Sequence, residues 1–247
     1  MYRNIITRWS DITALANIPR PNESPHVLLF RVHTELLYHY SPFLRAALEA
    51  RPESNKSKAL PIEADSLHLE AFATWLYSGK VRTDPDLDGT DNLFYIFAQR
   101  IGCVALCRNI MTKLVKESRE HPRGSGEHRD LFYDWFTTTT TEEAISQLQP
   151  KPSPMMQHLI DQAINHWDAK GINLIQLKES YRSDPVPAEC LWHIVIGLAQ
   201  LKAHLQDGCT QHRCDCCYNP CKYHEHESEE ERLASTSETI LLLFLVR

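Results

Sequence analysis

Glycine is scarce in this chain: 8 residues among 247, against 14 prolines. So few flexible positions beside so many stiff ones predict helices separated by rigid breaks. A basic excess is lacking too. The formal net charge is −6 at pH 7 with histidine neutral, which argues against nucleic acid or an anionic membrane as partner. No apolar run approaches the ~20 residues a helix needs to cross a bilayer. The longest is Ile240–Val246. The opening residues, Met-Tyr-Arg-Asn-Ile-Ile-Thr-Arg, hold neither a long apolar region nor a small-residue cleavage site, so no secretory leader is expected. Gly-x-Ser-x-Gly, a phosphate-cradling glycine loop and His-Glu-x-x-His are all missing, so an enzyme is not expected. The expected compartment is the cytoplasm or nucleus, where thiols stay reduced.

What is present is ordinary globular composition, 43% hydrophobic and 23% charged, enough for one large or two small domains. The most informative stretch is Phe30–Val81. Val27–Val32 is a short apolar run with β-branched and aromatic members, which predicts a strand ending at His33. Strands near 11–16 and 26–32 would pair antiparallel across the polar turn Pro19–Pro25. Leu36, Leu37 and Tyr40 fall at helical spacing. Ser41 suits a helix N-cap and Pro42 its first position, where no N–H is needed. Phe43, Leu44, Ala47 and Leu48 are the expected apolar face of that helix. Leu60-Pro61-Ile62 reads as a short edge strand, the place where a proline is tolerated. Asp65 or Ser66 opens a third helix with the stripe Leu69, Phe72, Trp75 and Leu76, closed by Gly79.

Asp91 is expected to cap a helix with Leu93, Phe94, Phe97, Ala98 and Ile101 inward. Gly102-Cys103 breaks it. Val104, Leu106 or Cys107, Ile110, Met111, Leu114 and Val115 form the next amphipathic face, with Cys103 and Cys107 read as small buried hydrophobes. Residues 117–127 are turn-rich and polar, the expected domain boundary. Beyond the aromatic segment 131–136 and the threonine run 137–141, Pro150, Pro152 and Pro154 break the chain again. Met155–Ala169 is expected as a helix with Met156, Leu159, Ile160, Ala163, Ile164 and Trp167 inward. Another is expected from Ala188 to about Leu205, packing through Leu191, Trp192, Val195, Leu198, Ala199 and Leu205.

The strand ending in His33, the Leu36-Leu37 helix, the Ser41-Pro42-Phe43 corner, the short β segment at Leu60–Ile62 and the helix ending Tyr77-Ser78-Gly79 together resemble a BTB/POZ domain, of the small fungal type. The segment Leu93-Phe-Tyr-Ile-Phe-Ala-Gln-Arg-Ile101 resembles the helical end of that domain. The resemblance covers roughly residues 8–118. It implies an α+β fold, a small mixed sheet flanked by helices. Beyond it, the apolar stripes predict a mostly helical C-terminal region at 127–206, and the composition marks a Cys/His-rich acidic tail at 207–247. Family members often pair an opening aspartate, here Asp11, with a basic residue after the strand-ending histidine. Thr34 occupies that position here. Three readings follow: Asp11 is exposed, Arg31 substitutes, or the usual homodimer face is altered. His33 is read as a packing and hydrogen-bonding residue.

Five of the 8 cysteines crowd into residues 209–221. Cys214-x2-Cys217 and Cys221-x2-His224 are chelating pairs with zinc-like spacing, and thiolate with imidazole suits a tetrahedral Zn²⁺. Cys216 and His226 are alternative ligands. A structural zinc is one reading of the cluster. A reduced cysteine-rich tail is another, and redox sensing or intermolecular disulfides a third. Between residues 201 and 231, Lys202, Arg213 and Lys222 face seven acidic residues, a net of −4 that would repel phosphates.

The resemblance implies a non-enzymatic protein–protein interaction module, working through BTB-mediated self-association or partner docking, with a homodimer as one form. One alternative is a substrate adaptor of a cullin-type ubiquitin ligase. In such adaptors the loop equivalent to Glu49–Ala59 often carries a hydrophobic-x-Glu element, and no clean copy stands here. A second alternative is a zinc-stabilised regulatory protein acting at chromatin.

Overall fold

The computed structural model describes residues 12–18, 29–55, 58–81, 91–120, 151–166, 188–206 and 220–223. The chain divides into two compact units, Met1–Ile110 and Met111–Arg247. The protein is α+β and mostly helical, with one small mixed sheet among the described residues.

The first unit is built on strands β1 (Ile12–Ile18), β2 (Leu29–His33) and β3 (Leu60–Glu63), in the order β2-β1-β3. Strand β1 pairs antiparallel with β2, matching Leu15 to Phe30 and Thr13 to Val32, and parallel with β3, matching Leu15 to Leu60. Side chains opposite each other share a face. One face therefore carries Leu15, Val32, Leu60 and Ile62, all buried. The other leaves Ile12 and Leu29 in solvent. Strand β3 is the expected edge strand, and its Pro61 side chain is exposed.

Helix α1 (Thr34–Tyr40) follows β2 without a linker, and α2 (Pro42–Glu49) follows α1 after the single residue Ser41. Ser41 is fully buried. Its backbone N–H donates to the Leu37 carbonyl at 3.0 Å and closes α1. Its Oγ accepts from the Leu44 N–H at 2.9 Å and opens α2. The same hydroxyl donates to the Ile101 carbonyl. Helix α3 (Ser66–Ser78) starts where Asp65 accepts from the Leu67 N–H at 2.7 Å and stops at Gly79, whose φ of 67° only glycine adopts without strain. Its stripe Leu69, Phe72, Trp75 and Leu76 is buried as the spacing predicts.

Helix α4 (Asp91–Arg100) is covered on almost every side. Phe94, Tyr95, Ile96, Phe97 and Ala98 are all buried, and Leu93 is half-buried. The Phe94 and Phe97 rings both stack on His68 of α3, with centroids 5.8 and 6.4 Å away. The turn Ile101–Gly102 then leads into α5 (Val104–Glu120), which buries both Leu106 and Cys107. Gly102 has a φ of 65°, and a Cβ there would touch the Phe43 Cβ at 3.4 Å. The Ser41–Phe43 corner thus meets the α4–α5 turn through the Ser41 hydrogen bond, with Phe43 beside Gly102. Phe43 departs from the expected apolar face of α2. It is 57% exposed, because Leu44 and Leu48 already fill that side of the helix.

In the second unit, α6 (Pro154–His166) is opened by Ser153, whose Oγ accepts from the Met156 N–H at 3.2 Å. Met155, Met156, Leu159 and Ile160 are buried, while Ala163 and Ile164 are half-buried. Trp167 lies outside the described residues. Helix α7 (Ala188–Gln206) packs on α6 at Gly197, where a Cβ would fall 2.1 Å from Ile164 Cδ1. Only glycine allows so close an approach without displacing Ile164. That contact turns α7 away from the face its spacing predicts. Cys190 and Ile194 are buried, whereas Leu191, Trp192 and Val195 are 49%, 64% and 56% exposed. Ala199 is exposed and Leu198 half-buried; the Leu205 side chain lies outside the described residues.

Ser41→Ala removes an N-cap and leaves the Ile101 carbonyl short of a buried donor. Together these losses should cost about 2–4 kcal/mol. Urea denaturation of the full chain measures it, and an unchanged midpoint would show that the corner does not hold the first unit together.

Candidate functional site

The sequence places its chemistry at Cys214, Cys216, Cys217, Cys221, His224 and His226. Of these, Cys214, Cys216, Cys217, His224 and His226 lie outside the described residues, as does the Cys221 side chain. The backbone of Cys221 belongs to a 3₁₀ turn, Pro220–Tyr223. Among the described residues no group of three or more His, Cys, Asp or Glu is placed to hold a metal.

The turn is fixed to α6 by a buried polar cluster. The Tyr223 hydroxyl donates to Asp161 Oδ2 at 2.8 Å, and Lys222 Nζ lies 2.7 Å from the same oxygen. Gln157 Nε2 donates to Asp161 Oδ1 at 2.8 Å. Asp161 is only 8% exposed, so its charge depends on these donors in place of water. The Tyr223 ring is buried, meets the His158 ring edge-on at 4.8 Å, and has Lys222 Nζ 5.6 Å from its centroid. His158 and Gln162 are buried behind it, 3.0 Å apart through their Nε2 atoms.

Gln157, His158, Asp161 and Gln162 recur at helical spacing beside the apolar arc Met155, Met156, Leu159 and Ile160. A reading of α6 as amphipathic assigns them to solvent. The structure buries His158, Asp161 and Gln162 and half-buries Gln157, because Tyr223 supplies a partner that periodicity within one helix cannot reveal. The cluster binds and orients rather than reacts. It holds Tyr223, the residue before His224 in sequence.

Cys103, Cys107 and Cys190 are buried and form no disulfide. Burial pushes Cys103 up to about 12, partly opposed by a hydrogen bond with the Leu106 backbone, and burial pushes Cys190 up to about 12 as well. Neither is a thiolate at neutral pH, so neither suits nucleophilic or metal-binding chemistry. Cys103 and Cys107 pack as the small hydrophobes expected of them.

The second feature read from the sequence is the end of β2. The His33 N–H donates to the Tyr77 hydroxyl at 3.1 Å, and His33 Nδ1 lies 2.8 Å from the same oxygen. His33 thus joins β2 to the end of α3. Thr34 Oγ1 is 2.8 Å from Thr13 Oγ1, which gives that position a neutral partner across the strand–helix corner. Arg31 is exposed and does not take the place of a buried basic residue. Asp11 lies outside the described residues.

These features define a class: an α+β protein with a small mixed three-stranded sheet, and a second unit in which a buried polar cluster fixes the turn Pro220–Tyr223 to α6. No family model matches the chain, and no curated protein matches it. No described helix is long and apolar enough to cross a membrane.

Tyr223→Phe removes one hydrogen bond to a buried carboxylate and should cost about 1.5–3 kcal/mol. In an Asp161→Asn background the same change should cost clearly less, as measured by a double-mutant cycle in denaturant. Alkylation at pH 8 should leave Cys103 and Cys190 unmodified until the protein is unfolded; peptide mapping of labelled native protein checks this.

Proposed function

We propose that the protein is a BTB-like protein–protein interaction module, working by self-association or partner docking through its first unit rather than by catalysis. The observation that carries the reading is the order of elements in that unit. Two antiparallel strands lead into a two-helix corner at Ser41, then an edge strand, then α3 ending at Tyr77-Ser78-Gly79, then the α4–α5 pair. This is the order that the resemblance implies. Further support comes from the surface of the unit. Ile12, Leu29, Phe43, Leu67 and Tyr77 are all more than 40% exposed, which suits a protein that covers apolar surface with a partner.

The loop after α2 bears on the choice of partner. Arg51 Nη2 donates to the Asn55, Lys58 and Ala59 carbonyls at 2.6, 2.8 and 3.3 Å. The guanidinium is spent on folding the loop back on itself. This favours an internally braced loop over one that offers an apolar anchor to a cullin, so the ligase-adaptor reading ranks second.

Affinity purification with mass spectrometry, comparing the full chain with residues 1–120, tests the proposal. Partners, or the chain itself, should be recovered by both forms. Enrichment of a cullin by both would make the protein a ligase adaptor despite its braced loop. Recovery of partners by the full chain alone would move the interaction out of the first unit and overturn the proposal. Zinc at the tail is a separate question. Metal analysis should find stoichiometric zinc that disappears on joint substitution of Cys214 and Cys217, and zinc-free native protein would leave the reduced tail.

A further inference from the structure

Helix α7 turns two opposite sides to different surroundings. Cys190 and Ile194 are buried on the side where Gly197 takes Ile164 of α6 against its backbone. With about 3.6 residues per turn, the far side carries Trp192, Val195, Ala199 and Lys202. All four are exposed, Trp192 by 64% and Val195 by 56%. Their spacing alternates between three and four residues, the period of a seam that packs against another helix. Leu191 and Ile196 flank the seam on either side, and both are exposed as well. No acidic residue lies between Leu191 and Lys202.

The seam is complementary to itself when reversed. Two antiparallel copies of α7, with Val195 of one opposite Ala199 of the other, bring Trp192 opposite Lys202, because both pairs share the same midpoint in sequence. A large side chain then meets a small or slender one at each contact. Valine meets alanine, and the indole meets a lysine stem whose ammonium reaches the ring face. Lys202 forms no ion pair among the described residues, and a cation over an indole requires no acid. A parallel pair would set Trp192 on Trp192 and Lys202 on Lys202, crowding one contact and repelling at the other. Size and charge therefore select a reversed second copy as the occupant of this face. Six side chains fall well short of the ~20–30 residues that each partner brings to a standard interface, so the association is reversible and follows concentration.

We propose that the face of α7 formed by Trp192, Val195, Ala199 and Lys202, flanked by Leu191 and Ile196, is a self-association surface on which a second copy of the chain packs its own α7 antiparallel. The inference does not rest on the BTB reading. The seam belongs to the second unit, and an association made by the first unit is untouched by substitutions in α7.

Sedimentation velocity of the full chain over a roughly hundredfold range of concentration tests this. Val195→Glu alters an exposed residue, so the fold should remain intact, while a carboxylate facing Ala199 of the second copy should weaken association by about tenfold or more. Trp192→Lys sets two lysines opposite each other and should weaken it too. Adding Lys202→Glu to Trp192→Lys should then strengthen association by about threefold or more over Trp192→Lys alone, since two new ion pairs form only in the antiparallel register. Association that Val195→Glu leaves unchanged would overturn the proposal, as would a double variant no better than Trp192→Lys alone. Hydrogen exchange supplies a local readout. Protection of α7 should fall on dilution of the full chain, and protection that stays constant would overturn the proposal by assigning the face to the chain's own residues.

Discussion

The hydroxyl of Ser41 is the point on which the first unit depends. One small residue, fully buried, closes α1 through its backbone N–H, while its hydroxyl opens α2 and bonds to the turn between α4 and α5. Alanine in its place would fill nearly the same volume and keep only the backbone bond that closes α1. The arrangement holds two segments sixty residues apart in sequence without a salt bridge or a disulfide. It works because a hydroxyl can donate and accept at once, and because Gly102 takes the positive φ of the turn between α4 and α5.

Around this point the two ends of the sheet are treated differently. The inner face is closed by apolar contact. The corner where β2 becomes α1 is closed by polar contact, His33 with Tyr77 and Thr34 with Thr13. A neutral pair of threonines does not require the buried charges that the resemblance would place there, and so avoids the cost of desolvating them. In the second unit the logic reverses. A charged group, Asp161, is buried deliberately, and three donors from two segments meet its charge.

Local signals made much of the first unit legible from sequence. The caps at Ser41 and Asp65, the stop at Gly79, the stripe of α3 and the pairing of β1 with β2 each depend on neighbours in sequence or on a period that a single segment displays. Phe43 was not legible, because its exposure depends on how much surface the other elements supply. Nor was the buried side of α7. That helix is apolar around most of its circumference, so periodicity offers several faces and cannot choose. The choice falls to Gly197, where Ile164 of α6 approaches closely. The polar cluster on α6 was hidden for a related reason: its partner, Tyr223, lies 62 residues away. The cysteine and histidine spacing was plain in the sequence, but the described structure reaches only the turn beside it.

The central place of β1 has a consequence for how the protein is made. Both neighbours of this strand come later in the chain, and its parallel partner begins forty-five residues after Leu15. As the polypeptide leaves the ribosome, β1 emerges first with neither edge paired. It can join β2 early, across a short connection, but the other edge must wait until α1, α2 and the loop braced by Arg51 have been synthesised. Pairing over that separation is slow compared with helix formation. The nascent chain therefore passes through an interval in which helices stand ready and the middle of the sheet is still an open edge, the state most vulnerable to pairing with a neighbouring chain.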